Sequence, residues 1–263
     1  MPVARKWIKF FCFFLFTKRS AFFLLLACPA HAAPDVVSLN LCTDQYLLAL
    51  APQRAAAVTF LARDRELSAM AAAAAEIPTV RADAEAVLVL RPVLVLAAPW
   101  GARATLDALT RRGVTVERID PPTDFASIRA TTRHLGARLG AAARAEALLA
   151  AMDAMLAVPR TAPGGAIALE PRGLTAGPGS LRDAVLRAAG LTNAGDGRQL
   201  SLEALARTPA VLLVVAPPPS YPARATEFLA HPVLAHHPRR EVPPHLTICG
   251  GPWSAGAVAL LAR

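Results

Sequence analysis

Residues 85–97, EAVLVLRPVLVLA, and residues 203–216, EALARTPAVLLVVA, share one order of features. Each begins with a short helical run opened by a glutamate, turns at a proline and continues as a buried apolar strand. Helix, proline and apolar strand recur widely in proteins with parallel sheets, so this echo alone is a weak repeat. It supports an α/β fold in which two halves of the chain are built alike.

The sequence on either side of these segments also alternates between strand and helix patterns. In the first half, strands are predicted in VVSLNL, AAAVTFL and VTVERID, and a helix in RATLDALTRRG, which Gly113 ends. In the second half, strands are predicted in AIALE, AVLLVVA and HLTICG, and helices in LRDAVLRAAG and SAGAVALLA. Alternation of this kind predicts two lobes, each with a parallel sheet.

A longer helix is predicted between the two halves. The segment DFASIRATTRHLGARLG forms a helix capped by Asp124 and ended by Gly140, and residues 141–158 then continue without Gly or Pro. The apolar stripe of this second helix consists of Leu148, Leu149, Met152, Met155 and Leu156. This second helix is predicted to be roughly 25 Å long. We therefore predict an N-terminal lobe at 33–140, a bridging helix at 141–158 and a C-terminal lobe at 159–263.

Residues 1–32 have the pattern of a secretory signal peptide. Five basic residues and no acidic residue accompany the apolar run AFFLLLAC, which is far shorter than the roughly 20 residues that a membrane span requires. The AHA pattern predicts cleavage after Ala32 and a periplasmic product. The box LLAC at Cys28 also resembles a lipoprotein processing site, so lipid anchoring is the alternative.

The charge of the chain gives little support to a nucleic-acid partner. The formal net charge is +9, but residues 33–263 hold 23 basic and 19 acidic residues, which leaves about +4. All 23 are arginines placed singly along predicted helices, as on a solvated face. No nucleic-acid binding is predicted.

Two cysteines, Cys42 and Cys249, lie outside the signal segment. A disulfide is permitted in an exported protein but is not implied by the sequence. Cys42 stands at the start of a predicted helix, which lowers a thiol pKa, so a secreted α/β enzyme with Cys42 as its nucleophile is one alternative. No nucleophile signature surrounds it, and helix capping alone accounts for Thr43 and Asp44. The prediction is that the protein is not an enzyme.

Four histidines fall within 15 residues, at His231, His236, His237 and His245. Their spacing fits no common zinc motif, and four prolines interrupt the segment, so a solvated loop is predicted and no metal site is assigned. A zinc-binding or manganese-binding carrier that uses this loop stays an alternative.

Aromatic residues follow three predicted strands. Trp100 comes after LVLAAP, Trp253 after LTIC and Tyr221 after AVLLVVA. Ligands of open α/β sheets lie outside the carboxyl ends of the strands, so these side chains are candidate platforms for a flat ligand, with core packing as the alternative. The Gly-rich turn TAGPGS is a further candidate for the lip of a cleft.

Taken in order, the segments SLNLCTDQYLLALA, LRPVLVLAA, GVTVERIDPPTDFASI, TAGPGSLRDAVLRAAGLTN, LSLEALAR and CGGPW resemble the periplasmic substrate-binding proteins of ABC importers. The most similar branch takes up vitamin B12 (cobalamin), iron-siderophores and haem. The resemblance implies two Rossmann-like lobes joined by a single long α-helix, with a ligand cleft between the lobes. It also implies a monomeric carrier without a cofactor, which delivers its ligand to a membrane permease and its ATPase.

The resemblance also implies roles for particular residues. Glu85 and Glu203 match the positions at which each lobe docks onto arginines of the permease. Val93 departs from the family pattern RPDLV, where an aspartate assists the turn. By loop position, the ligand-binding residues are Asn40, Cys42, Thr43, Asp44, Arg63, Trp100, Arg103, Arg172, Thr175, Tyr221 and Trp253. Arginines would meet ligand carboxylates, and tryptophans would stack on a corrin or porphyrin.

On the fold implied by the resemblance, Cys42 and Cys249 face one another across the cleft. A disulfide requires Cα atoms within about 7 Å, and a bridge across the binding site would hold the cleft shut. We therefore predict two thiols that are free or close to the ligand.

Overall fold

The computed structural model describes residues 33–157, 164–220 and 224–262, except for the side chain of residue 225. These residues form one compact unit. The predicted signal segment lies outside the described residues. Within them, no helix is both long enough and apolar enough to cross a membrane.

The N-lobe is built on a parallel four-stranded sheet. Its strands are β1 (Val36–Ser38), β2 (Ala55–Ala57), β3 (Leu94–Ala97) and β4 (Thr115–Arg118), in the order β2-β1-β3-β4. Its helices are α1 (Leu41–Leu50), α2 (Ala84–Val89) and α3 (Arg103–Arg111). Helices cover both faces of a parallel sheet, which is why β1 and β3 consist of buried residues only.

Two antiparallel helices follow the first sheet, α4 (Phe125–Arg138) and α5 (Ala142–Leu156). The helix α5 lies within the range predicted for the bridge. Its neighbour α4 is also shared by both lobes, because Leu135 packs in the core of the N-lobe and Ile128 packs with Leu181 of the C-lobe. The predicted boundary at residue 140 therefore divides a helical pair that both lobes use.

The C-lobe repeats the plan of the N-lobe. Its strands are β5 (Gly165–Ala168), β6 (Thr192–Asn193), β7 (Leu212–Val215) and β8 (Arg239–Glu241), in the order β6-β5-β7-β8. Its helices are α6 (Leu181–Ala188), α7 (Leu202–Arg207), α8 (Arg224–Glu227) and α9 (Ala255–Leu261). The strand order matches that of the first sheet position by position.

The echo between residues 85–97 and 203–216 is therefore structural. Glu85 is the second residue of α2 and Glu203 the second residue of α7, and both are exposed. Val87 and Leu205, two residues further on, are fully buried in their respective lobes. Each of the two helices leads directly into the third strand of its sheet.

The strand predicted in HLTICG is wrong. Residues Pro244–Leu246 form a 3-10 turn, and the fourth strand of the C-lobe is instead RRE at Arg239–Glu241. Pro243 and Pro244 lack the N–H groups that a strand donates to its neighbours. The actual strand lies at the sheet edge with three exposed side chains, so it carries no apolar pattern.

Candidate functional site

A cleft of about 480 Å³ lies between the lobes, within the usual size range of small-molecule sites. Three consecutive residues of the N-lobe line it: Arg65, Glu66 and Leu67. The C-lobe contributes Pro171, Ala216, Pro217, Pro218, Pro219, Thr226, Pro243, Pro244 and His245. Prolines thus form most of one wall, and the ionisable groups on the cleft are Arg65, Glu66 and His245. The backbone N–H of Ser220 donates to Glu66 Oε1 at 3.1 Å, which joins the two lobes.

Several residues predicted to bind ligand instead support the turn from β1 into α1. The Asn40 side chain caps α1 by accepting from Cys42 N–H at 2.9 Å. Thr43 is buried and donates to the Asn40 carbonyl at 3.0 Å. Asp44 has no exposed surface and accepts from Thr59 N–H and the Thr59 hydroxyl. Thr43 and Asp44 therefore lie inside the N-lobe, which corrects their predicted place on the cleft.

Burial also changes the chemistry of Asp44. Desolvation disfavours the carboxylate and raises the pKa of Asp44 from 3.8 to about 6, although hydrogen bonds from Ser38 and Thr59 oppose the shift. The side chain is thus a buried acid that titrates just below neutral pH.

The arginine that lines the cleft is Arg65, whereas the predicted ligand residue Arg63 does not line it. Arg63 donates from Nε to the Ala74 carbonyl at 3.3 Å and from Nη2 to the Ile77 carbonyl at 2.7 Å. These bonds hold the loop that follows β2. Sequence reasoning missed Arg65 and Glu66 because the segment ARDRE has no periodicity to show which side chains face the cleft.

The prediction of free thiols is wrong. Cys42 and Cys249 form a disulfide with an S–S distance of 2.10 Å and a Cα–Cα distance of 5.2 Å. The expectation that such a bond would close the cleft assumed that the cysteines face one another across its mouth. Neither is among the residues that line the cleft, so the bond joins the lobes beside the cavity. A bonded sulfur is no thiolate, so Cys42 in this oxidised form is not a nucleophile, and the expectation that the protein is not an enzyme stays a prediction.

The two tryptophans have different environments. Trp253 is partly buried, donates from Nε1 to the Cys249 carbonyl at 3.0 Å and packs on Tyr46 with ring centroids 5.4 Å apart. It is therefore a packing residue, which was the alternative considered. Trp100 is 61% exposed after β3, next to left-handed backbone at Gly101 and Ala102. Arg103 follows it with an exposed side chain.

A further exposed aromatic residue was missed by the sequence analysis. Phe60 follows β2 and is 72% exposed. Phe60 follows the carboxyl end of β2 and Trp100 follows the carboxyl end of β3. Because these strands are parallel in one sheet, both residues lie at the same end of that sheet. Neither residue lines the cavity itself.

The predicted C-lobe residues lie around the loop after β5. Pro171 lines the cleft, and the neighbouring Arg172 is exposed with a left-handed backbone (φ 62°). Such backbone is costly for a residue other than glycine and clusters at functional sites. Thr175 is buried and donates to the Arg198 carbonyl at 2.9 Å. It does not line this cleft, and its ligand contact stays a prediction. Tyr221 lies outside the described residues.

The four histidines do not meet at one site, although the rings of His236 and His237 are in contact with centroids 4.0 Å apart. His237 is buried, where its Nδ1 accepts from Val211 N–H at 3.2 Å and its Nε2 bonds the Leu205 carbonyl at 3.2 Å. His231 and His236 are exposed, and His245 alone of the four lines the cleft. Within residues 33–157, 164–220 and 224–262, no group of three or more His, Cys, Asp or Glu side chains could hold a metal ion.

Comparisons with known proteins extend these observations. A periplasmic haem-binding protein from Pseudomonas aeruginosa is 25% identical, with a TM-score of 0.66 over 87% of this chain and 91% of that one. The haem-binding protein RhuT from Roseiflexus sp. RS-1 is 23% identical, with a TM-score of 0.66 over 88% and 97%. HutB of Vibrio cholerae is 18% identical, with a TM-score of 0.70 over 86% and 96%. The last two likenesses show the fold alone.

A search of curated protein sequences finds no match. Residues 36–238 match the family model described as periplasmic binding protein. The predicted two-lobed fold and the predicted family are both confirmed. Because the match extends over most of the sequence, this chain belongs to the family of periplasmic binding proteins.

Proposed function

We propose that the protein is the solute-binding component of an ABC importer and that its ligand is haem or a closely related metal chelate. The observation that carries this proposal is the cleft, in which His245 of the C-lobe and Arg65 of the N-lobe share a cavity walled by prolines. The similarity to a periplasmic haem-binding protein that is 25% identical supports the same ligand class.

The chemistry of these side chains suits haem. A histidine is a common axial ligand of haem iron, and His245 is the histidine on the cleft wall. An arginine pairs well with a carboxylate, so Arg65 would meet a propionate. Apolar walls suit the porphyrin face. A ferric siderophore surrounds its iron with its own oxygen donors, so it would leave His245 without a role.

The second part of the proposed function is delivery of the ligand to a membrane permease. Glu85 and Glu203 are exposed at the same position of equivalent helices, one in each lobe. We assign them to arginines on the two halves of an inner-membrane permease, which an ATPase drives. A monomeric carrier of this kind performs no covalent chemistry and needs no cofactor.

Titration with ferric haem tests the ligand. We expect a shift of the Soret band, and a stabilisation of about 2.7 kcal/mol when free haem reaches a hundred times its Kd. The variant His245→Ala should lose the Soret shift, because the iron loses its protein ligand. The matched control is His236→Ala, an exposed histidine that does not line the cleft.

Cobalamin and a ferric siderophore are titrated in parallel. Stabilisation by either of these alone would transfer the proposal to that chelate. If none of the three stabilises the protein, the ligand class is wrong, and equal Soret shifts in both histidine variants would remove His245 as the iron ligand.

A further inference from the structure

Two sequence motifs from opposite lobes meet in a double contact beside the cleft. Cys42 and Tyr46 are four residues apart on α1, and Cys249 and Trp253 are four residues apart before α9. The cysteines are bonded to one another, and the two rings are in contact with centroids 5.4 Å apart. We call these four residues the clasp.

The glycines between Cys249 and Trp253 allow this close approach. A Cβ atom on Gly250 would lie 2.4 Å from the carbonyl oxygen of Pro122, which precedes α4. A Cβ atom on Gly251 would lie 2.2 Å from the ring of Trp253. The motif CGGPW therefore brings the last segment of the C-lobe into contact with the N-lobe.

The helix α1 connects this clasp to both walls of the cleft. On the N-lobe side, Gln45 Oε1 accepts from Ala69 N–H at 2.8 Å, two residues after the cleft residue Leu67. On the C-lobe side, Cys249 lies four residues after the cleft residue His245 and is bonded to α1 through Cys42. One helix thus anchors the walls that carry Arg65 and His245.

We propose that the Cys42–Cys249 disulfide sets the separation of the two cleft walls, so that the oxidised protein is the form with high ligand affinity. The part of this inference that concerns affinity rests on the proposed function. Bond formation converts two thiols into a disulfide and gives two protons and two electrons to a thiol–disulfide oxidant of the exporting compartment. Cys42 is partly exposed, so a reductant can reach the bond.

The test compares the oxidised protein, the protein reduced with a phosphine and then desalted, and the variant Cys42→Ser/Cys249→Ser. We expect the Kd for ferric haem to rise about tenfold in both forms that lack the bond. The same phosphine treatment of the serine variant is the control, and it should change nothing. Equal affinities for the oxidised and reduced proteins would overturn the proposal.

A second measurement needs no ligand. Spin labels are attached through encoded keto amino acids at Arg112 of the N-lobe and Arg240 of the C-lobe, both exposed. We expect a narrow distance distribution in the oxidised protein and a broader one in the two forms without the bond. Three equal distributions would overturn the proposal. If the oxidised protein binds no haem, the proposed ligand fails, while the distances still test the clasp.

If the serine variant does not fold, the Kd and the spin-label distances are compared between the oxidised and the reduced protein only. A chromogenic thiol reagent then verifies that the bond has been reduced.

Discussion

Asp44 shows how one residue can serve the fold at a cost in stability. Its carboxyl group has no exposed surface, and its bonds to Thr59 tie α1 to the loop after β2. Hydrogen bonds offset only part of the loss of hydration, so burial keeps the pKa of Asp44 at about 6 in the folded protein.

This raised pKa predicts a specific pH dependence. Between 3.8 and about 6 the folded protein holds a proton on Asp44 that the unfolded chain has released, so the free energy of unfolding falls as the pH rises through this window. The loss is about 3 kcal/mol. Part of this loss occurs below pH 4.5, so urea unfolding at pH 4.5 and pH 7 should show a difference of about 2 kcal/mol.

The variant Asp44→Asn is the matched comparison, because its amide oxygen can still accept from Thr59 and the group does not titrate. Other carboxyl groups titrate equally in both proteins. We expect the wild type to lose more stability than the variant between the two pH values; equal losses would mean that Asp44 is ionised without penalty.

Residue roles could be predicted from sequence where the partner is local. Asp124 was predicted as a helix cap, and its Oδ1 accepts from Ser127 N–H at 2.7 Å. Arg65 and Cys249 could not be placed, since their environment depends on segments far away in the chain. A capping bond spans three residues, whereas the disulfide spans 207.

At the scale of elements, Gly136 allows α4 and α5 to pack closely together. A Cβ atom on Gly136 would lie 2.5 Å from the Cβ of Ala145, well inside van der Waals contact. Alanine is intrinsically the better helix former by about 1 kcal/mol, so helix propensity and packing oppose one another at this position.

We expect packing to prevail, with Gly136→Ala destabilising the protein by about 1–2 kcal/mol, because overpacking in a core costs more than the propensity gain. The midpoint of urea unfolding measures the change. In the background Ala145→Gly the clash is absent, so there the same substitution should be neutral or stabilising. A more stable single variant would show that the helices can move apart freely.

Elements were predictable where burial imposes a periodic pattern. The helices α5 and α6 and the buried strand β3 were recognised from apolar spacing, and the structure has them at those positions. The edge strand β8 was missed because its three side chains are exposed, and HLTICG was mistaken for a strand because its apolar residues serve a turn beside the clasp.

At the scale of the molecule, the repeated strand order explains why the order of motifs predicted the family while single motifs did not. Each lobe repeats strand, helix and strand, with Glu85 and Glu203 at equivalent places. The cleft depends on how the lobes are joined, and residues 65–67 and 243–245 are too far apart in sequence for any pattern to relate them.

Because the two lobes are built alike, the proposed docking of Glu85 and Glu203 on the permease can be tested in both lobes. A permease with two equivalent halves presents the same surface to each lobe, so both carboxylates should contribute. The hydrogen bond from the Ser201 side chain is the main cause that lowers the pKa of Glu203, which favours the charged form. For Glu85→Gln and Glu203→Gln we expect the concentration that half-maximally stimulates the permease-coupled ATPase to rise several-fold, and more in the double variant.

Two exposed carboxylates elsewhere provide the controls, as Glu76→Gln in the N-lobe and Glu227→Gln in the C-lobe. All four variants should bind ferric haem as the wild type does, because none of these residues lines the cleft. Charge alone would predict equal losses for all four, whereas docking predicts losses at Glu85 and Glu203 only. A double variant that stimulates the ATPase like the wild type would remove these glutamates from the interface and leave the ligand proposal intact.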